Sequence, residues 1–295
     1  MLKLGIVVLA FSSSLALASE RCEYSSEQQL TLKDVQHLQL TMRSDQLQLV
    51  GGSGDQVEVT ARLCASSKKR LEAMALQPKQ QSGVAQLRLL PEQRSSSFSA
   101  GWFGRKNEKY SRFELTIAAP TAMLLDLTVS SGTASIENIA GLELTLSSGR
   151  VQAATIPGLV SSSVSSGQFA LTDAGPVQLT NLSSGQVRLS QVGSVQASRV
   201  SSGQLRIEEA AGDVRLDSLS SGQIRVSDVL GSVQIGRVSS GSARVSDVQG
   251  NAEFGSIGSG SIRAERIGGD LSLDHKGSGS VRYQDVRGQV RLPSR

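Results

Sequence analysis

Aromatic residues are scarce in this chain of 295 residues, because six Phe, three Tyr and one Trp make up only 3 % of it. A core without large rings must be thin and packed from Val, Ile, Leu and Ala, and such a core suits β-strands. The proportions of hydrophobic residues, 38 %, and charged residues, 19 %, are typical of a folded chain. The composition therefore excludes a disordered protein and favours an all-β one.

Histidine is also scarce, since His37 and His275 are the only two. The sequence shows no Ser-His-Asp arrangement and no metal-ligand spacing, so we expect no catalytic triad, no metal site and no cofactor. The formal net charge of +4 is mild, and it does not indicate a nucleic-acid partner.

Long hydrophobic runs are absent except at the N-terminus. Residues 1–18 combine Lys3, an apolar stretch and a small-residue pattern ending at Ala18, which predicts a cleaved secretory signal peptide. A membrane anchor is the alternative, but serines 12–14 interrupt the stretch, and it is shorter than the ~20 residues of a spanning helix. We expect an exported protein of the periplasm or cell envelope, or a secreted one, with no transmembrane segment after cleavage.

The chain has only two cysteines, Cys22 and Cys64. In an exported protein an even number of cysteines indicates a disulfide rather than a metal site. We therefore predict one disulfide between them, with two buried free thiols as the alternative.

Glycine recurs at a nearly constant interval over more than half of the chain. The glycine of a repeated Ser-Gly phrase returns every 17 to 19 residues, at Gly132, Gly149, Gly167, Gly185, Gly203, Gly222, Gly241, Gly260 and Gly279. A second glycine lies about halfway through each interval. In residues 219–241, apolar side chains stand two, four and seven places after each glycine. The first two alternate with polar residues, which is typical of a half-buried strand.

This periodicity predicts an all-β fold, a parallel β-solenoid of about nine rungs of 18–19 residues, which we expect to be right-handed. Each bend is expected to use the freedom of glycine to adopt a positive φ. An antiparallel sandwich of short strands is the alternative. It explains the alternation but not the fixed spacing of identical residues, because only parallel coils stack equivalent positions.

Residues 19–120 do not follow the repeat. They contain alternating strand-like segments, a predicted short helix over 66–76 and a polar loop. We predict an irregular N-terminal β cap over 19–120 that shields the first rung of a solenoid region over 121–295. Cap and solenoid are expected to form one continuous domain.

Three segments carry a family resemblance: LQLVGGSGDQVEVTARL, FELTIAAP and LLDLTVSSG, followed by the succession of SGxVRL and GxVxL units. In these features the chain resembles the bacterial "putative adhesin" family of exported β-helix domains, over about residues 30–290. The resemblance implies a β-helix fold and a non-enzymatic role in the cell envelope. It carries over no catalytic residues, because the shared motifs are structural glycines and alternating strands.

One arginine stands three places after the first glycine in six consecutive rungs: Arg188, Arg206, Arg225, Arg244, Arg263 and Arg282. We expect these side chains to point outward in a column, here named the arginine column. Such a column suits an extended anion such as an envelope glycan, because a guanidinium offers forked donors to carboxylate and phosphate. The alternative is a solvated face that keeps the protein soluble, neutralised by acidic residues at one repeat position: Asp173, Glu209, Asp228, Asp247 and Asp285.

The loop over residues 92–112 holds the only tryptophan, Trp102, beside Phe103, Arg105 and Lys106. Aromatic and cationic side chains on one loop suit a sugar, a membrane interface or a partner protein. A loop tip without a ligand, or rings folded back on the cap, is the alternative.

An enzyme remains a second hypothesis, because Asp228 and Asp247 are one rung apart and could stand ~5 Å from each other, as paired glycosidase carboxylates do. The same position is acidic in several rungs, whereas a catalytic site breaks a repeat. We therefore favour a non-enzymatic, exported, adhesin-like binding or scaffold module whose partner is an envelope glycan or protein. A polysaccharide-acting β-helix lyase or glycoside hydrolase is the alternative, and the sequence does not indicate an oligomeric state.

Overall fold

The structure is a computed structural model that describes residues 22–91 and 109–293. The N-terminal part contains one helix and seven strands: β1 Tyr24–Lys33, β2 His37–Met42, β3 Gln46–Gly52, β4 Gln56–Ala65, α1 Lys68–Glu72, β5 Ala75–Gln81, β6 Val84–Leu90 and β7 Ser111–Pro120. The predicted signal peptide, residues 1–18, and the loop residues Trp102, Phe103, Arg105 and Lys106 lie outside the described residues.

From residue 124 onward the strands alternate between two sheets. The first sheet receives β9 Thr133–Glu137, β11 Arg150–Ile156, β13 Gln168–Ala174, β15 Gln186–Val192, β17 Gln204–Ala210, β19 Gln223–Val229, β21 Ser242–Val248, β23 Ser261–Ile267 and β25 Ser280–Val286. The second sheet receives β8 Leu124–Val129, β10 Gly141–Leu146, β12 Val160–Val164, β14 Val177–Leu182, β16 Val195–Val200, β18 Val214–Leu219, β20 Val233–Val238, β22 Ala252–Ile257, β24 Leu271–Lys276 and β26 Val290–Arg291.

Each rung contributes one strand to each sheet and pairs in parallel with the rungs on either side. On β19, for example, Ile224 stands opposite Leu205 of the preceding rung and Ala243 of the following one. Equivalent positions of the repeat therefore lie directly above one another, as only a parallel stack allows. The predicted β-solenoid is confirmed.

The core lies between the two sheets and forms one continuous cluster along the stack. In the rung that contains β19 and β20, six aliphatic residues point inward and none is more than 3 % exposed: Ile224, Val226, Val229, Val233, Ile235 and Val238. Burying an aliphatic side chain of this size contributes about 1.5–3 kcal/mol.

The two sheets continue without interruption into the region predicted as a cap. Strands β2 and β3 form a parallel rung that stacks on β8 and β9, and β6 and β7 form a further parallel rung on β2 and β3. Only the outermost strands are antiparallel: β4 on β7, β5 on β6 and β1 on β4. Strands on either side of the boundary predicted near residue 120 therefore pair with one another, as β2 does with β8 and β3 with β9. The division into cap and solenoid stays a prediction.

A disulfide fastens the outer edge of this N-terminal end. It joins Cys22, just before β1, to the buried Cys64 of β4, with 5.4 Å between their Cα atoms. In the loop-entropy account, a cross-link that closes a loop of several tens of residues stabilises a fold by roughly 4 kcal/mol.

The glycines of the repeated phrase act differently from the prediction. Among the described glycines only Gly83 has a positive φ, so the expectation of positive φ at each bend is wrong. The repeated glycine instead permits close stacking, since a Cβ on Gly241 would lie 2.6 Å from the carbonyl oxygen of Gly222 on the rung below. We call the stacked Ser-Gly positions the glycine corner.

The left-handed backbone occurs elsewhere in the rung, at a non-glycine residue. One residue with φ between 53° and 59° recurs in nine successive rungs: Asn138, Thr155, Asp173, Gln191, Glu209, Asp228, Asp247, Arg266 and Asp285. We call this position the left-handed corner. The strand pairing passes over it, because Ser227 pairs with Ser246 and Val229 with Val248. The single left-handed residue breaks the alternation, so that both Val226 and Val229 face the core.

Candidate anion-binding surface

The arginine column lies on the outer face of the first sheet. The pairing register sets Arg188 opposite Arg206, Arg206 opposite Arg225, and so on through Arg244 and Arg263 to Arg282. All six residues are exposed. Because adjacent strands of a sheet are about 4.8 Å apart, the column is a row of guanidinium stems at that spacing.

Two members of the column form ion pairs with a glutamate two places further along the same strand. Arg206 donates to the Glu208 carboxylate, and Arg263 donates to the Glu265 carboxylate. Alternation places residues two apart on the same face of a strand, which is why these pairs form. The two arginines remain 46 % and 54 % exposed, so each pair is a surface ion pair of modest strength.

The other four arginines have no salt bridge within the described parts of the chain. Arg188 donates to the side-chain oxygen of Gln186, at 3.4 Å. At the position two places after Arg225 and Arg244, where Glu208 and Glu265 stand in the neighbouring rungs, the chain has Ser227 and Ser246. Among the described residues the column is therefore neutralised at two rungs and left positive at the other four, of which only the two between the neutralised rungs, Arg225 and Arg244, are adjacent.

The acidic residues of the alternative reading form no salt bridge with the column in the described parts of the chain; Glu208 and Glu265 form those pairs instead. Asp228, Asp247 and Asp285 occupy the left-handed corner, where a short polar side chain tolerates the backbone better than most. Asp247 accepts from Nε and Nη2 of Arg266, at 2.6 and 2.7 Å. Hydrogen bonding from the Arg266 guanidinium holds the pKa of the Asp247 carboxyl below its usual value, and the same pair raises the pKa of Arg266.

Polar side chains flank the arginine column on the side of the glycine corner. The residue two places before each arginine forms a second column, which changes from glutamine to serine along the stack: Gln186, Gln204, Gln223, Ser242, Ser261 and Ser280. Ser261 donates to the hydroxyl oxygen of Ser242 at 3.1 Å. Next to it, the corner serines Ser221, Ser240 and Ser259 line a shallow depression together with these serines and the corner glycines. The flanking column thus becomes a row of hydroxyl groups from the rung of Arg244 onward.

Sequence reasoning missed the two glutamates that pair with the column and a hydrogen-bond ladder at the second glycine of the last five rungs. In that ladder a side-chain oxygen accepts from the backbone N–H of the equivalent residue one rung later, through Asp213, Ser232, Asn251, Asp270 and Gln289. The signal was present as an Asp, Ser or Asn directly after the glycine. Such residues favour hydrogen bonds to nearby backbone, but the sequence alone does not show that the partner lies on another rung.

The carboxylates considered for catalysis lie one rung apart, at the left-handed corner. Of the two, Asp247 is held by the forked hydrogen bonds of Arg266, which favour its ionised form, whereas a general acid must be protonated. Within residues 22–91 and 109–293, no three His, Cys, Asp or Glu side chains are grouped so that they could hold a metal ion.

The stacked rungs define a β-solenoid repeat protein that carries a column of arginines on the outer face of its first sheet. More particularly, the chain belongs to the Toastrack DUF4097 family, whose profile matches residues 20–294. This confirms the family resemblance inferred from the glycine and strand patterns. No curated protein matches the chain.

Several solved structures are similar to this chain. One is a "putative adhesin" from Parabacteroides distasonis, with 15 % identity, a TM-score of 0.46 and coverage of 92 % of this chain and 97 % of that one. Another, a "putative lipid binding protein" from the same organism, has 15 % identity, a TM-score of 0.45 and coverage of 88 % and 97 %. A "putative adhesin" from Parabacteroides merdae has 14 % identity, a TM-score of 0.45 and coverage of 88 % and 96 %. These names belong to the similar proteins and do not assign a function to this chain.

In the part of the chain that the structure describes, no helix is both long enough and apolar enough to cross a membrane.

Proposed function

We propose that this protein is a non-enzymatic, exported cell-envelope protein that acts as an adhesin-like binding or scaffold module, and that its partner is an anionic envelope glycan. The observation that carries the proposal is the arginine column, whose members stand in register on consecutive strands. A row of arginines at a fixed spacing on a regular sheet matches a long anion that carries repeated charges. The predicted aromatic loop, with Trp102, Phe103, Arg105 and Lys106, would supply a second contact.

Two features support export. Residues 1–18 have the composition of a signal peptide, and the Cys22–Cys64 disulfide is of the kind that persists in oxidising compartments. The proposed location is the periplasm or cell envelope, with secretion as the other outcome. Cell fractionation, combined with alkylation of free thiols, tests both points. A cytoplasmic protein with both cysteines reduced would contradict export.

Binding is tested by retention of the purified mature chain on immobilised acidic and neutral envelope glycans at rising salt. We expect retention on acidic glycans that weakens with salt, because exposed charges are screened. The triple variant Arg188→Gln, Arg225→Gln, Arg244→Gln should lose retention.

The matched control is Arg199→Gln, Arg215→Gln, Arg237→Gln, which removes three exposed arginines from the second sheet and should bind as the wild type does. Equal losses in the two triple variants would contradict a role for the column. Release of shortened glycan during the same assay would instead support the polysaccharide-acting enzyme.

A further inference from the structure

We infer that the binding centre of the arginine column is the pair Arg225 and Arg244, and that it takes a linear acidic polysaccharide lying along the stack, with carboxylates presented to two successive rungs. This inference rests on the proposed function and names its ligand class and its site. It follows from how charge and hydroxyl groups are distributed beside the six arginines.

The charge distribution singles out this pair. The residues two places after the arginines form a further column, on the side opposite to the glycine corner. In four consecutive rungs these residues are Glu208, Ser227, Ser246 and Glu265. The outer two are carboxylates in ion pairs with Arg206 and Arg263. The inner two are serines, so Arg225 and Arg244 are the only adjacent members of the column without an acidic partner among the described residues.

Two unneutralised guanidinium groups on neighbouring strands repel each other, and like charges directly opposite are destabilising. The fold does not need them, since both side chains are exposed and the core beneath is formed by residues such as Val226. A bound anion removes the repulsion. Each guanidinium offers two parallel donors that match one carboxylate, so the pair matches two carboxylates separated by roughly the strand spacing of 4.8 Å.

The surroundings favour a sugar chain over a bare phosphate. On the glycine-corner side, the flanking column changes from Gln223 to Ser242 between the two rungs of the pair. From there, Ser242, Ser261 and the corner serines provide a shallow depression lined by hydroxyl groups. Hydroxyl groups donate and accept, and so they can pair with the hydroxyl groups of a sugar ring whose carboxylate is held by an arginine. The surface is open along the stack, which suits a linear chain.

The probe is a set of short and long oligogalacturonates, compared with neutral maltooligosaccharides and with inorganic polyphosphate, in a direct affinity measurement. We expect Arg225→Gln with Arg244→Gln to weaken oligogalacturonate binding by about tenfold, since two charge-assisted contacts are lost. The matched control, Arg206→Gln with Arg263→Gln, removes the same charge from arginines that already have partners. It should weaken binding less than about threefold.

A second, independent test of the inference looks for a gain of affinity. Glu208→Gln with Glu265→Gln frees Arg206 and Arg263. Because Arg188 and Arg282 also lack a salt bridge among the described residues, the positive run then extends over all six rungs of the column. We expect tighter binding of long oligogalacturonates and unchanged binding of the shortest ones. The central double variant should also melt no lower than the wild type, because it removes like-charge repulsion. A purely structural role for the two arginines predicts the opposite.

The outcomes separate the inference from the proposed function. If the wild-type protein binds no acidic glycan at all, the proposed function fails. If it binds but both double arginine variants lose affinity equally, binding is spread over the column, and the central site is wrong. Tighter binding of polyphosphate than of oligogalacturonate would overturn the ligand class, whereas a selective loss in the central variant would support it.

Discussion

The two corners of each rung turn the chain by different physical means. At the glycine corner the constraint comes from the neighbouring rung, because a Cβ on Gly241 would meet the Gly222 carbonyl oxygen and the side chain of Leu219. At the left-handed corner the constraint comes from the residue's own backbone, since Asp228 has a φ of 59°. The first position accordingly keeps one residue type. The second varies among Asn, Asp, Thr, Gln, Glu and Arg.

This difference shows that a repeated residue and a repeated conformation are separate signals. Glycine repeats where rungs approach each other closely, and no other residue fits there. The left-handed backbone repeats without a fixed residue, because the energetic cost of about 1–2 kcal/mol for a non-glycine residue is offset by the burial of the next aliphatic side chain. A sequence pattern shows the first kind of constraint much more clearly than the second.

The largest effect is expected at the glycine corner. Gly241→Ala should lower the free energy of unfolding by about 2 kcal/mol, because the added methyl group must displace the rung below in a well-packed stack. The measurement is the denaturant midpoint. Gly52→Ala is the matched control, since nothing lies within 4 Å of its added Cβ. Equal midpoints for Gly241→Ala and the wild type would show that neighbouring rungs can move apart at the glycine corner without a loss of stability, which would contradict the proposed constraint.

A smaller effect is expected at the left-handed corner. Asp228→Val should lower the free energy of unfolding by about 1–2 kcal/mol, because a β-branched residue is strongly disfavoured at positive φ. Asp228→Gly should match or exceed the wild type, as glycine adopts this conformation freely. Thermal unfolding compares the two variants. If both substitutions destabilise alike, the Asp228 side chain rather than its backbone is what matters.

A still smaller effect is expected from the ladder beside the second glycine. Asn251→Ala should lower the free energy of unfolding by about 1 kcal/mol, because the Asp270 N–H, which donates to Asn251 Oδ1 at 2.9 Å, loses its acceptor. The exposed neighbour Gln249 provides a control, and Gln249→Ala should be near neutral. Hydrogen exchange at the Asp270 amide reports the loss directly; unchanged protection would contradict the ladder.

The smallest effect concerns the ion pair at the left-handed corner. Arg266 lowers the pKa of the Asp247 carboxyl from its ordinary 3.8, so the pair stabilises the fold above that value and the contribution is lost as the pH falls through the lowered pKa. The side chain of Arg266 is 54 % exposed and that of Asp247 is 36 % exposed, so the gain in stability is small. In an NMR titration, Arg266→Gln should raise the pKa of Asp247. An unchanged pKa would mean that the pair does not persist in solution.

Much of the fold was predictable from the solenoid repeat because each rung repeats the same local pattern. The spacing of Ile224, Val226 and Val229 and of their equivalents identified the inward positions, and the spacing of Arg225 and Arg244 identified a column on one face. The pairing of Arg206 with Glu208 was equally visible as a two-residue spacing. The sequence also offers an acidic residue three places after several of the arginines, at the left-handed corner, and spacing alone does not show which of the two acidic positions pairs with the column.

The N-terminal region was not predictable in the same way. Its strands alternate as the others do, but nothing in their sequence states that β2 and β3 stack on β8 and β9, with β6 and β7 on their other side. Nor does the sequence show that Asp45 is buried and accepts from the Phe113 N–H at 2.9 Å. These contacts join segments that are far apart in the chain, so they produce no periodic pattern in the sequence.

The sequence by itself therefore determined the parallel stack, its rung length and the line of outward arginines, since a fixed period places equivalent side chains above one another in any parallel solenoid. Only the tertiary structure decided which turn each corner uses, which arginines are neutralised and in what order the N-terminal strands join the sheets. The physical reason is that these properties depend on distances between rungs and on which sheet edge is left unpaired, and neither is a property of a single segment.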